Sequence, residues 1–169
     1  MDRRQLCFYL AIPALLTSAC LAGDSAMDRA TLRGLKGVKV VVDPPSPEIE
    51  RQGVDREQLR VSIEQKLSEA GIKIDNGAFE FVGLSISSVA PGRRSTLSLK
   101  KGPVSLTVGL GVYQIVTLSR DQTTKTVAET WGDQRIMAAG PKGLEHELSG
   151  AVDDLVDQFV KAYRTVNPR

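Results

Sequence analysis

The single histidine, His146, is the first candidate for acid–base or metal chemistry in this 169-residue chain. Its neighbours Glu145 and Glu147 are one residue away on either side, which on a helix turns each of them about 100° away from the imidazole. Asp153 shares the face of His146 but lies seven residues on, about 10 Å along the helix axis. A zinc site needs several ligands that converge on one point. The spacing therefore predicts a surface histidine, and we expect no metal site and no cofactor.

The sequence gives little support for catalysis by a serine nucleophile or by carboxylates. The run from His146 to Gly150 contains Ser149, but it lacks the Gly-x-Ser-x-Gly elbow and lies within a predicted helix. Asp153, Asp154 and Asp157 fit the solvated face of that helix. Because two suitably placed carboxylates suffice for general acid/base catalysis, a carboxylate-based hydrolase stays open as the alternative. The leading expectation is that the protein is not an enzyme.

Gly109 and Gly111 flank Leu110 in a pattern that suggests a nucleotide-binding loop. Gln114 occupies the position of the third glycine of a dinucleotide fingerprint, and the run lies within a strand instead of at a strand-to-helix turn. Two glycines on one face of a strand more simply let the strand coil or let another group approach. A further hypothesis is that this face binds a small ligand in an open apolar cleft beside the glycines.

A basic segment stands out between Phe81 and Arg120, where the chain has no acidic residue. Its four central cations are Arg93, Arg94, Lys100 and Lys101. One interpretation is a solvated rim that faces the acidic last helix. The other is an interaction surface for an anionic partner, such as lipid headgroups, cell-wall polymer or an acidic protein patch.

The amino terminus has the pattern of a signal peptide. Arg3 and Arg4 precede an uncharged run over residues 6–23, as in leaders that enter the translocon. The run from Leu16 to Cys20 resembles the lipobox of bacterial lipoproteins, with Thr17 where that family usually has leucine. The resemblance implies that Cys20 is acylated, and Leu21 after it points to the outer membrane. The alternatives are a soluble periplasmic protein cut after Ala19 or Ala22, and export by the twin-arginine route.

The composition fits one ordinary folded domain outside the cytoplasm. Hydrophobic residues make up 41% and charged residues 25% of the chain, which is typical of soluble proteins. Without Arg3, Arg4 and Asp2 the chain has 20 basic and 19 acidic residues, so we expect no nucleic-acid partner. Both cysteines, Cys7 and Cys20, lie in the leader, which fits an oxidising compartment.

The periodicity of apolar residues predicts an α+β domain. We expect a signal peptide over residues 1–23, a short tether over 24–35 and a single domain over 36–169. Alternation predicts strands over 38–43, 79–89, 104–120 and 126–138, with a turn over 121–124, and residues 97–99 could add a short strand. Helical spacing predicts helices over 55–70 and 144–163. The order β-α-β-β-β-α predicts an antiparallel-rich sheet of about four strands with both helices on one face and Trp131 in the core.

Several stretches resemble small uncharacterised bacterial exported proteins, a putative lipoprotein family. They are the opening Leu35–Val38, the strand Glu129–Trp131 and the closing run from Val152 to Pro168. The predicted topology is also similar to that of envelope accessory lipoproteins, such as those that assist curli secretion or activate penicillin-binding proteins. The resemblance itself brings no known activity. The leader and the absence of a catalytic constellation favour a non-catalytic envelope domain, held to the membrane by Cys20, that acts through contacts with an envelope protein or an anionic surface. The alternative is a hydrolase acting on envelope material.

Overall fold

The computed structural model describes residues 24–89, 104–140 and 143–168. They form a four-stranded sheet in the order β1-β2-β3-β4, together with four helices. In chain order the elements are α1 (Ala26–Ala30), β1 (Lys39–Val42), α2 (Pro47–Glu50), α3 (Arg56–Glu69), β2 (Phe81–Val89), β3 (Val104–Leu118), β4 (Asp121–Ala139) and α4 (Leu144–Val166). This confirms the predicted α+β class.

The sheet is mixed because α3 carries the chain from β1 to a parallel neighbour. β1 pairs in parallel with β2, while β2, β3 and β4 are successive antiparallel neighbours. A helix is the usual connection between adjacent parallel strands. Asp55 caps the start of α3 by accepting hydrogen bonds from the amides of Glu57 and Gln58. Gly71, at φ +83°, ends it in the left-handed conformation that favours glycine.

The two long helices cover one face of the sheet, called the inner face below. α3 buries Leu59, Ile63 and Leu67, and α4 buries a stripe that includes Leu148 and Phe159. Alternate residues of the strands meet them in one hydrophobic cluster. These strand residues are Val40, Val42, Val82, Leu84, Ile86, Leu106, Val108, Leu110, Val112 and Trp131. The predicted placement of both helices on one face, with Trp131 in the core, is therefore observed.

Residues 24–35 differ from the tether that the sequence suggests. They contain α1, and Leu32 is fully buried in the core. The Asn167 side chain fixes this segment from the far end of the chain, because its amide nitrogen donates to the Leu32 carbonyl and its oxygen accepts from the Gly34 amide. A short segment without a clear apolar period is thus held in the fold by long-range contacts.

The hairpin between β3 and β4 turns earlier than the sequence predicts. Leu118 pairs with Asp121, so the connection is formed by Ser119 and Arg120 instead of residues 121–124. The Asp121 carboxylate accepts hydrogen bonds from the Thr123 amide and hydroxyl and from the Thr124 hydroxyl. Such local bonds are typical of turns, which is why the sequence there resembles one. The short strand that residues 97–99 could add lies outside the described residues.

Candidate binding groove on the exposed face of the sheet

The second face of the sheet, called the outer face, carries side chains of β2, β3 and β4 that point away from the helices. In the described part of the chain, no helix contributes to it. Its central residues are Phe81, Gly83, Ser85, Gly109, Gly111, Tyr113, Glu129, Gly132 and Gln134. A sheet with one bare face offers that face to solvent or to a partner.

A row of glycines crosses the outer face at right angles to the strands. Gly83 lies directly opposite Gly111, and Gly111 lies directly opposite Gly132. Gly109 extends the row on β3, opposite Ser85 and Gln134. Glycine inside a strand often marks a place where another group comes close to the backbone. Here those groups are side chains of the same sheet.

The Glu129 side chain lies flat over two of these glycines. A Cβ at Gly111 would come within 2.8 Å of Glu129 Oε2, and a Cβ at Gly132 would clash with Oε1 and lie 3.0 Å from Cδ. Tyr113 covers the third, because a Cβ at Gly83 would lie 2.9 Å from its ring. The glycine row therefore sets where the carboxylate and the phenol lie.

Tyr113 and Glu129 are joined by a hydrogen bond. The phenol donates to Glu129 Oε2 at 2.9 Å. Burial, followed by this bond to a carboxylate, raises the pKa of Tyr113 above its ordinary value, which favours the protonated phenol that donates the bond. On its other side, the Tyr113 ring stacks on Phe81 with centroids 4.8 Å apart, and Lys39 Nζ lies 5.6 Å from the Phe81 centroid.

A β-bulge turns Glu129 outward while Trp131 points inward. Residues two apart on a regular strand share a face. Here Trp131 pairs with Val112 and Glu129 pairs with Tyr113, so Thr130 is the extra residue of the bulge. The Thr130 hydroxyl donates to Gln114 Oε1 at 2.7 Å. The bulge thus lets one short segment supply both the core and the outer face.

These side chains border a groove of about 350 Å³ floored by the glycines. Glu129, Tyr113, Ser85 and Gln134 give it a polar lining, and none of the described lysines or arginines lines it. The carboxylate, the phenol oxygen and the serine hydroxyl can all accept hydrogen bonds. The groove is therefore rich in acceptors and acidic, in contrast to the apolar cleft that we hypothesised beside Gly109 and Gly111.

A second, smaller groove of about 200 Å³ lies between α3 and α4. Asp55, Glu145 and Asp153 are among its lining residues. Asp55 is occupied by capping α3, and Asp153 pairs with Lys66 Nζ at 2.9 Å. Two of the three carboxylates in this groove are therefore held by neighbours within the fold.

The residues singled out from the sequence fall in different places. Gly109 and Gly111 lie in the outer groove, and His146 is exposed on α4. Cys20 and the basic residues Arg93, Arg94, Lys100 and Lys101 lie outside the described residues. Within the described ranges, no three His, Cys, Asp or Glu side chains cluster closely enough to hold a metal ion. No helix there is both long and apolar enough to span a membrane.

Sequence reasoning missed Gly83, Gly132, Tyr113 and Glu129. A signal for the glycines was present, because three of the four predicted strands, 79–89, 104–120 and 126–138, contain an interior glycine. Their alignment into one row depends on strand register, which the sequence alone did not provide.

The chain matches no family model and no curated protein. It is similar to the solved structure of a PelC variant dodecamer from Paraburkholderia phytofirmans, with 13% identity and a TM-score of 0.35 over 76% of this chain and 87% of that one. It is also similar to a minor lipoprotein from Acinetobacter baumannii, with 14% identity and a TM-score of 0.33 over 79% of this chain and 93% of that one. Neither likeness bears on what the groove does.

Proposed function

We propose that this protein is an exported, non-catalytic binding domain of the cell envelope that contacts a partner protein through the outer face of its sheet. The observation that carries the proposal is the groove on that bare face. There the glycine row holds the Tyr113 phenol and the Glu129 carboxylate against the sheet before any ligand arrives. Groups held in place in advance lose little entropy on binding.

The chemistry of the groove suits binding better than catalysis. General acid/base catalysis needs a group that gives or takes a proton near neutral pH. The raised pKa of Tyr113 moves its titration further from the neutral range, and one oxygen of Glu129 already accepts its hydrogen bond. The phenol and the carboxylate are thus already bound to each other, in an arrangement that can orient a ligand.

A lipid anchor on Cys20 is part of the proposal. We infer that Cys20 is acylated and that the domain faces the periplasm from the outer membrane. Three residues separate Cys20 from Asp24, so Asp24 lies within about 14 Å of the anchor at full extension. Asp24 is fixed to the domain, because it accepts hydrogen bonds from Trp131 Nε1 at 3.0 Å and from Arg29 Nε at 2.7 Å. An acylated Cys20 would therefore hold the whole domain close to the membrane.

The experiment that tests the binding face is site-specific photo-crosslinking in intact cells. A photoreactive residue replaces Ile136, which is 79% exposed on β4 of the outer face. The matched control replaces Val61, which is 50% exposed on α3. We expect a discrete adduct with an envelope protein from position 136 and none from position 61. Equal adducts from both positions, or none from either, would refute the proposal.

A separate measurement tests the lipid anchor. Mass spectrometry of the mature amino terminus from wild type is compared with that from Cys20→Ser. An acylated cysteine at the wild-type terminus supports the anchor. A terminus created by cutting after Ala19 or Ala22, with no lipid, identifies the soluble periplasmic form instead.

The basic segment supplies a second proposed contact, argued from sequence alone. Arg93, Arg94, Lys100 and Lys101 would meet an anionic surface, such as lipid headgroups or an acidic patch of an envelope protein. Pull-down from intact envelopes compares wild type with the double variant Arg93→Glu/Arg94→Glu. Unchanged partners would dismiss this contact without affecting the outer face.

The alternative function is a carboxylate-based hydrolase, and the observation that favours it is the groove between α3 and α4. Among the described residues, Glu145 is the lining carboxylate of this groove that neither caps a helix nor pairs with a cation, so it would be the acid or base. Turnover of envelope material by the purified protein, abolished in Glu145→Gln but not in Glu129→Gln, would establish this function and overturn the non-catalytic proposal.

A further inference from the structure

The outer groove has the wrong charge for an anion and the right one for a cation. Its lining in the described residues includes the carboxylate of Glu129 and no basic side chain. The strand backbones that floor it pair with each other in the sheet, so few amides are free to bind an anion. A ligand that fits must bring hydrogen-bond donors and positive charge, which an ammonium or a guanidinium does.

The aromatic edge of the groove also favours a cation. The rings of Phe81 and Tyr113 are stacked nearly parallel, and Lys39 Nζ already lies over the Phe81 ring. Cations bind to aromatic faces because the ring's quadrupole places negative charge there. The internal contact shows that an ammonium can occupy this part of the outer face.

An apolar shelf adjoins the groove on the same face. Ile115 and Val127 lie directly opposite each other, and they are 46% and 53% exposed. They belong to the part of the β3–β4 hairpin that extends past Phe81, the first residue of β2. Among the described residues, each strand there pairs only with the other. Ile115 is two residues from Tyr113, and Val127 is two residues from Glu129. Two residues along a strand span about 6.7 Å, so the shelf begins one side-chain repeat from the groove.

We propose that the groove and the shelf together bind an extended segment of a partner protein that carries a lysine or arginine followed two residues later by an apolar side chain. The basic side chain enters the groove and donates to Glu129 and to the phenol oxygen of Tyr113. The apolar side chain rests on Ile115 and Val127. An extended peptide repeats every two residues as the strand does, so both side chains reach their places together.

This inference rests on the proposed function and names the partner's chemistry. The test uses the full chain, purified from membranes with its amino terminus as processed by the cell, and fluorescence anisotropy of labelled seven-residue peptides. The first peptide is Gly-Ser-Lys-Ser-Leu-Ser-Gly. The comparison peptides replace its lysine with glutamate, replace its leucine with serine, or place the lysine and leucine side by side.

We expect saturable binding of the first peptide, and weaker binding of each comparison peptide. Glu129→Gln should weaken binding of the first peptide about tenfold, because one charge-assisted hydrogen bond is lost. Val127→Ser should weaken binding of the first peptide, but it should leave binding of the peptide with serine in place of leucine unchanged. Glu69→Gln and Val61→Ser remove an exposed carboxylate and an exposed valine from α3, and neither should change binding.

Three results would overturn the inference. One is equal binding of the lysine and glutamate peptides, and another is no effect of Glu129→Gln in a protein whose unfolding midpoint is unchanged. The third is competition by n-butylamine as strong per molecule as by the unlabelled peptide, which would assign the groove to small amines. If the position-136 adduct forms in cells while these peptides fail to bind, the outer face is still the binding face and the proposed sequence pattern is wrong.

Discussion

Replacing Gly132 by alanine should separate the folding role of the glycine row from its role in the groove. A Cβ at this position would clash with Glu129 Oε1 and lie 3.0 Å from Glu129 Cδ. The backbone of Gly132 does not lie in the left-handed region, so alanine fits the main chain. Glu129 is exposed and can rotate away from the new methyl group. The substitution therefore moves the carboxylate without straining the strand.

Two opposing effects set the change in the free energy of unfolding. Alanine in place of a strand glycine stabilises by roughly 0.5–1 kcal/mol, because the unfolded chain loses freedom. Displacing Glu129 breaks its bond with the Tyr113 phenol, which costs about 0.5–1.5 kcal/mol at most for a partly exposed pair. We expect a net change within about 1 kcal/mol of zero, together with loss of binding to the lysine peptide.

Urea unfolding followed by tryptophan fluorescence measures the stability. Trp131 is the only tryptophan of the chain and is 1% exposed, so its emission reports loss of the core. Gly71→Ala is the matched control. Its φ of +83° should make alanine cost about 1–2 kcal/mol, while peptide binding stays unchanged. A Gly132→Ala protein that binds as well as wild type, or that loses more than about 2 kcal/mol, would refute the reasoning.

Three further predictions concern the core and the amino-terminal segment. Arg29, followed by Trp131, holds the pKa of Asp24 below its usual range. The stability that the Asp24 carboxylate contributes to the folded protein is therefore complete above about pH 4, and it is lost as the pH falls through the lowered pKa. Asp24→Asn should flatten this part of the curve of unfolding free energy against pH. Asn167→Ala should cost about 0.5–1.5 kcal/mol in urea unfolding, because the Gly34 amide loses its side-chain partner and the Leu32 carbonyl keeps only the Leu35 amide. Phe159→Ala should cost about 3–5 kcal/mol by the same assay, because it leaves a cavity beside Trp131; a loss below about 1 kcal/mol would contradict the packing.

The fold could be predicted where one apolar period runs through a whole element. α4 shows this well, because Leu144, Leu148, Val152, Leu155 and Phe159 recur at helical spacing and all are buried. In β3, residues 106–112 alternate between the core and the groove. Local periodicity fixes which side of an element is buried, and two helices with one apolar stripe each must share the face of the sheet that can receive them.

Residues 24–35 could not be assigned in the same way. Leu32 and Leu35 are two apolar residues three positions apart, too few to define a helical period. What holds the segment is Asp24 on Trp131, Tyr163 donating to the Leu35 carbonyl, and the Asn167 side chain. These partners lie more than 100 residues away in the chain, and no local pattern encodes them.

Only part of the candidate site could be predicted from the sequence, for a similar reason. Gly109 and Gly111 stood out because they share a strand and a face. Glu129 did not, because strict alternation from the buried Trp131 would place it in the core. The bulge at Thr130 reverses that assignment, and its presence follows from strand pairing instead of from any residue type that the sequence displays.

The same bulge separates the proposed anchor from the proposed binding face. Trp131 points into the core, where its indole binds Asp24, the described residue nearest to Cys20 in the chain. Glu129, two residues earlier, points to the outer face and forms the groove with Tyr113. A chain anchored through Cys20 therefore meets the domain on the inner side of β4, while a partner reaches the groove from the opposite side of the sheet. Anchoring and binding would then not compete for the same surface, so Cys20→Ser should leave peptide binding in solution unchanged.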